Sequence, residues 1–154
     1  MRLRGKKAVI TGASSGIGRA IAEAFAAAGA AVVVNSARSD GAASAFVKSL
    51  CDAGANAHAI KADVADETAV GALVEQAFEK LGGVDIWANI AGADILTGDA
   101  AAWSDADKLS RLIDVDLRGT MLCSWAVAPR MQAAGSGAIL NMSWDLALVG
   151  MAQR

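Results

Sequence analysis

Apolar residues recur along this chain in short blocks with two alternating spacings. Compact runs rich in valine and isoleucine predict buried strands over residues 7–11, 31–34, 58–62, 84–88 and 138–142. Strands covered on both faces read as such nearly continuous apolar runs. Between them, helical spacing predicts helices over 18–29, 42–53, 68–81 and 105–131. The third of these has the best pattern, with Val70, Leu73, Val74, Ala77, Phe78 and Leu81 on one stripe. In the first, Ile17, Ile21, Ala24, Phe25 and Ala28 share a face, and Gly29 supplies the stop. Ser104 and Asp107 resemble a capping box ahead of the last helix. Strand and helix in alternation predict an α/β fold, a doubly wound and mostly parallel sheet of about five strands.

Composition narrows the classes of function. With 154 residues, 55% hydrophobic and 19% charged, the chain has enough apolar material for one cored domain over residues 1–154. The net charge is -2 and the basic residues are scattered, so no nucleic-acid surface is expected. The basic start at residues 1–7 is followed by an apolar stretch that stops at Thr11, too short for a signal-peptide core. The longest apolar run, residues 24–34, is broken by Gly29 and too short to span a membrane. Cys51 and Cys123 are far apart and fit a reducing, cytoplasmic setting. His58 is the single histidine, so neither a histidine-based metal cluster nor a Ser-His-Asp triad is expected.

The chemistry begins at Thr11-Gly12-Ala13-Ser14-Ser15-Gly16-Ile17-Gly18, between the first strand and the first helix. Gly12 allows a sharp turn, Gly16 lets backbone approach a pyrophosphate, and Gly18 lets helix and strand pack closely. The helix N-terminus offers free N–H groups to the anion, and Ser14 and Ser15 can add hydroxyl donors. A glycine triplet in this context predicts a dinucleotide site on a Rossmann-type sheet of order 3-2-1-4-5.

The spacing G-x-x-x-G-x-G with Thr11 ahead of it resembles the short-chain dehydrogenase/reductase family, and the resemblance runs over residues 3–143. Asp63-Val64 is similar to the pair that contacts the adenine in that family. Asn89-Ile90-Ala91-Gly92 resembles its N-N-A-G segment, with Ile90 in place of the second asparagine. Val115-Asp116-Leu117 resembles a V-N-L segment whose asparagine belongs to the catalytic set; here Asp116 keeps an acceptor and lacks the amide donors. Asp116 also falls on the helical face of Leu109, Leu112 and Ile113, where a carboxylate needs a partner. Asn141-Met142-Ser143 resembles the catalytic-serine position, and Trp144 beside it could line a substrate pocket.

The resemblance implies an NAD(P)-dependent oxidoreductase acting on a small-molecule carbonyl or alcohol substrate, homo-oligomeric in the complete protein. Cofactor choice is read at the end of the second strand, where an acidic residue would bind a ribose 2′-hydroxyl. Here stand Asn35-Ser36-Ala37-Arg38, with no carboxylate before Asp40. Arg38 can pair with a 2′-phosphate, and Asn35 and Ser36 can hydrogen-bond it, which favours NADP(H) over NAD(H). The family's Tyr-x-x-x-Lys motif has no counterpart: the chain contains no tyrosine and no lysine after Lys108. The expectation is a C-terminally incomplete fold and a chain inactive by itself, with strand five as an exposed edge. The alternative is a non-catalytic nucleotide-binding or protein-interaction module.

Overall fold

In the computed structural model, residues 2–38 and 41–143 are described, so Asp40 and Trp144 lie outside the described residues. Five strands form one parallel sheet: β1 (Lys7–Ile10), β2 (Ala31–Ser36), β3 (Ala57–Lys61), β4 (Ile86–Asn89) and β5 (Ala138–Asn141). Their spatial order is β3-β2-β1-β4-β5. Val9 pairs with Val33 on one side and Trp87 on the other, in parallel register.

Strand periodicity sends alternate residues into two cores. Val9, Val33 and Trp87 face α3 (Glu67–Leu81) and α5 (Thr120–Ala133), while Ala8, Ile10, Val32 and Val34 face α1 (Gly16–Ala27) and α2 (Ala42–Asp52). Both faces being covered explains the valine-rich strands. Asp66 caps α3 by accepting from the N–H groups of Thr68 and Ala69 at 2.8 and 3.1 Å, and Gly82 closes it in the left-handed conformation. On α1 the buried positions are Gly18 and Ala22, with Ile21 and Phe25 packed beside them. Ile17 and Ala24 fall off that face, and Ile17 is exposed.

The helix predicted over 105–131 departs from its expected form. It consists of α4 (Asp105–Leu112), a π-helical stretch at Ile113–Gly119, and α5. Ser104 Oγ accepts from the Asp107 N–H at 3.2 Å, but the other half of the box is replaced by a bond from the Ser104 hydroxyl to the Asp107 carboxylate. The π stretch sits where the helix crosses the end of β3. A Cβ on Gly119 would stand 2.8 Å from Val64 Cγ2, so only glycine lets the two approach.

Val115, Gly119, Cys123, Val127 and Met131, each four residues on, make the buried stripe. Leu109, Ile113, Leu117, Met121 and Trp125 repeat the same step on the outside, all exposed. In an unbroken α-helix steps of four drift around the axis; the wider π turn offsets that drift. β5 lies at the sheet edge with Leu140 half exposed. Among the described residues, no helix is long and apolar enough to cross a membrane.

Candidate functional site

A parallel sheet opens a crevice beyond the carboxyl ends of its strands where the strand order reverses. Here the reversal lies at β1, between β2 and β4. A cleft of about 810 Å³ occupies this place. Its walls come from the turn after β1, the end of β2, the segment after β3 and the segment after β4.

The glycine turn is shaped by close approach as much as by its own bend. Gly12 has φ +65°, and a Cβ there would lie 2.7 Å from Ala91 Cα. A Cβ on Gly18 would lie 2.5 Å from the Gly12 carbonyl oxygen. Gly16, exposed at the start of α1, has open space where its Cβ would be. Ser15 stands at the N-cap without a side-chain cap bond, so the first N–H groups of α1 keep their donors for a ligand.

Thr11 joins the two sides of the cleft. Its hydroxyl oxygen accepts from the N–H groups of Ile90 and Ala91 at 3.0 and 3.1 Å, and the hydroxyl donates to the Ala88 carbonyl at 3.4 Å. That fixes the Asn89–Gly92 path against the turn. Ser14, Ser15, Ile17, Ile90, Ala91 and Gly92 line the cleft with Gly12 and Gly18.

Asn89 supports the sheet. Its Oδ1 accepts from the Trp87 indole at 2.8 Å, and its Nδ2 donates to Ser124 Oγ and Asn141 Oδ1 at 3.1 and 2.8 Å. The side chain thus ties β4 to α5 and β5, and its neighbours Ile90 to Gly92 are the ones lining the cleft.

β2 runs two residues further than its pattern predicts and ends on Asn35 and Ser36. Both are buried at the cleft floor. Asn35 Nδ2 donates to the Ile60 and Ala62 carbonyls at 3.2 and 3.0 Å, and its Oδ1 faces the Gly12 N–H at 3.4 Å. The Ser36 hydroxyl donates to the Arg38 carbonyl at 3.1 Å. Their polar atoms hold the turn and the loop in place from the floor of the cleft. Arg38 alone of the three is exposed, at the cleft wall.

Asp63 and Val64 line the cleft after β3. The Asp63 carboxylate accepts from the Ala65 N–H at 3.0 Å and lies 3.4 Å from Arg111 Nη2. Asp94, on the opposite rim, has its carboxyl held below the usual range by the Thr97 hydroxyl, then by the N–H groups of Leu96 and Thr97, with the Arg38 charge adding to the effect. Asp94 lines the cleft together with Arg111, Trp103 and Thr97, and sequence pattern singles out none of these last three for it.

Asp116 stands differently from its sequence expectation. The stripe of Leu109 and Ile113 is the exposed one, and Asp116 is exposed too, so burial imposes no demand on its charge. Its Oδ1 accepts from the Ala93 N–H at 2.8 Å, which pins the segment after β4 to the π stretch. Ser143 follows β5, exposed, beside Met142 of the cleft wall. Among the described residues, no group of three or more His, Cys, Asp or Glu side chains could hold a metal ion.

Comparison with known proteins agrees with this geometry. Residues 6–154 match the family model described as short chain dehydrogenase. The chain belongs to this family. Among curated relatives, the chain is similar to cis-4-hydroxycyclohexanecarboxylate dehydrogenase of Sinomonas cyclohexanicum, 41% identical over 150 residues, covering 94% of this chain and 57% of the relative. Among solved structures, a short chain dehydrogenase from Burkholderia cenocepacia J2315 in complex with NADP superposes with a TM-score of 0.84 at 34% identity, covering 99% of this chain and 60% of the other. A metagenomic short-chain oxidoreductase in complex with NADP gives 0.80 at 33% identity, covering 93% and 64%. This short-chain dehydrogenase chain thus spans little more than half the length of the relatives it matches.

Proposed function

We propose that residues 1–154 form one dinucleotide-binding domain of an NADP(H)-dependent oxidoreductase acting on a small carbonyl or alcohol substrate. The observation that carries this reading is the cleft itself: a glycine-lined helix N-terminus at one end and the exposed Arg38 guanidinium at another. The site fits the cofactor on structural grounds: the space beside Gly16 at the start of α1 is open, while Gly12 and Gly18 let the turn pack tightly against Ala91 and its own backbone.

When bound, the nicotinamide supplies or accepts hydride. The chain's own residues bind and orient. The N–H groups at the start of α1 receive a pyrophosphate, with Ser14 and Ser15 adding hydroxyl donors. Arg38 receives the 2′-phosphate as a charge-assisted pair. Asp63 and Val64 receive the adenine, and Ala91 and Gly92 supply backbone on the facing wall. Ser143 orients the substrate oxygen, and Asp116 keeps the segment after β4 in position through Ala93. The resemblance assigns the substrate proton to the tyrosine of Tyr-x-x-x-Lys, and residues 1–154 contain no tyrosine. By itself, therefore, the chain binds dinucleotide without reducing a carbonyl.

The homo-oligomer implied by the family resemblance has a candidate face in the outer ridge Leu109, Ile113, Leu117, Met121 and Trp125, with Trp125 65% exposed. Free thiols at Cys51 and Cys123 support a cytoplasmic setting.

Titration with NADPH, following nicotinamide fluorescence, tests the reading. Saturable binding is expected, weakened about tenfold or more by Arg38→Gln while NADH binding changes little. Absence of saturable NADPH binding overturns it. Turnover of a carbonyl substrate by this chain, abolished by Ser143→Ala, would overturn the claim that it is inactive by itself.

A further inference from the structure

Arg111 and Asp63 come from places 48 residues apart and meet on the wall of the cleft. Asp63 is held at both oxygens: Oδ1 accepts from the Ala65 N–H at 3.0 Å and Oδ2 lies 3.4 Å from Arg111 Nη2. Both side chains stay accessible, at 39% and 37%. A carboxylate has about four acceptor sites and a guanidinium five donors, so these contacts leave acceptors and donors side by side.

The ion pair has little to do as a fastening. A half-exposed pair at this distance contributes little to stability. The π stretch is already docked on the end of β3 by Gly119 against Val64 and by Arg118 Nη1, which donates to the Ala65 carbonyl at 2.5 Å. Asp116 docks it on the segment after β4. Of Arg111, Asp116, Arg118 and Gly119, Arg111 is the one that lines the cleft.

A 6-aminopurine presents an amino donor next to a ring-nitrogen acceptor, whereas a 6-oxopurine places an acceptor where the amino group was. An acceptor fixed beside a donor is complementary to the first and repels the second. Resting on the dinucleotide reading given above, we propose that Arg111 is a specificity-determining residue for the base. It holds the Asp63 carboxylate in the orientation that accepts from a 6-amino group, and its own free N–H groups face the ring nitrogen.

The test compares NADPH with its hypoxanthine analogue, both titrated by nicotinamide fluorescence into this chain and its variants. The unsubstituted chain is expected to prefer the adenine form about tenfold or more. Arg111→Met is expected to bring that preference below about threefold, with Arg111→Lys, which keeps one charged donor, falling between. Equal weakening of both forms by Arg111→Met, with the ratio unchanged, means a merely structural residue and overturns the proposal. So does an unsubstituted chain that binds both forms equally. Failure of the unsubstituted chain to bind either form instead overturns the dinucleotide reading on which the proposal rests.

Discussion

Gly12 and Ala91 pass so close that a Cβ on Gly12 would stand 2.7 Å from Ala91 Cα, although 79 positions away in the chain Thr11 is already bonded to the Ile90 N–H. The turn after β1 and the segment after β4 are therefore one packed unit. Gly12→Ala must displace backbone and also force alanine to φ +65°. It is expected to lower the unfolding free energy by about 3 kcal/mol, from overpacking plus left-handed strain. Gly16→Ala meets nothing within 4 Å and bears only the strain at φ +54°, about 1 kcal/mol. Urea unfolding of the two variants checks the ranking; equal losses would contradict it.

The Asn35 amide serves three backbone groups from two neighbouring elements. Asn35→Leu removes these bonds while keeping a similar volume. A loss of about 2–4 kcal/mol is expected, because buried polar groups are left without a partner. A variant as stable as the parent, but with NADPH affinity reduced, would show that Asn35 acts on the ligand and not on the fold.

Cys123 is fully buried, and burial pushes its thiol from 9.0 up to about 12. The folded state therefore keeps a proton that the unfolded state loses above pH 9.0. Stability contributed by the neutral thiol is complete below that pH and falls as pH rises toward about 12, by up to about 1.4 kcal/mol per unit. Comparing Cys123→Ala with the parent between these limits isolates the effect: the parent's excess slope should vanish in the variant. In the native state near pH 8, thiol titration should find exposed Cys51 reactive and Cys123 protected.

The ridge from Leu109 to Trp125 predicts a change in assembly without a change in fold. Leu117 is 58% and Trp125 65% exposed, so lysine at both positions should cost the single chain about 0.5 kcal/mol or less each. If two copies meet on this face, sedimentation should show association in the parent and a monomer in the double variant. A parent that is monomeric at all concentrations, or a double variant that still associates, excludes this face.

Much of the architecture was legible from the pattern. Short apolar runs located all five strands, most clearly β1 and β2, where a strand covered on both faces has no polar side to confuse the signal. Spacing around Gly12, Gly16 and Gly18 located the turn, because its backbone demands act on those residues directly. The helix at 105–131 was legible in extent and not in form. Its π stretch arises where Gly119 meets Val64, a contact between distant segments that leaves no local periodicity.

The sequence by itself determined the alternation of elements, the phosphate turn and the absence of tyrosine. Only the tertiary structure decided what individual polar residues touch. Asn35 and Ser36 lie at the cleft floor, and the Asn35 bonds to the Gly12 N–H and to the Ile60 and Ala62 carbonyls have no local signal. Asp116 looked like a charge in a buried stripe until that stripe proved to face outward. Asp63 and Arg111 carried no common signal at all. The physical reason is the same in each case: propensity and hydrophobic spacing act between near neighbours. Hydrogen-bond partners 20 to 80 positions away are set by how the layers pack.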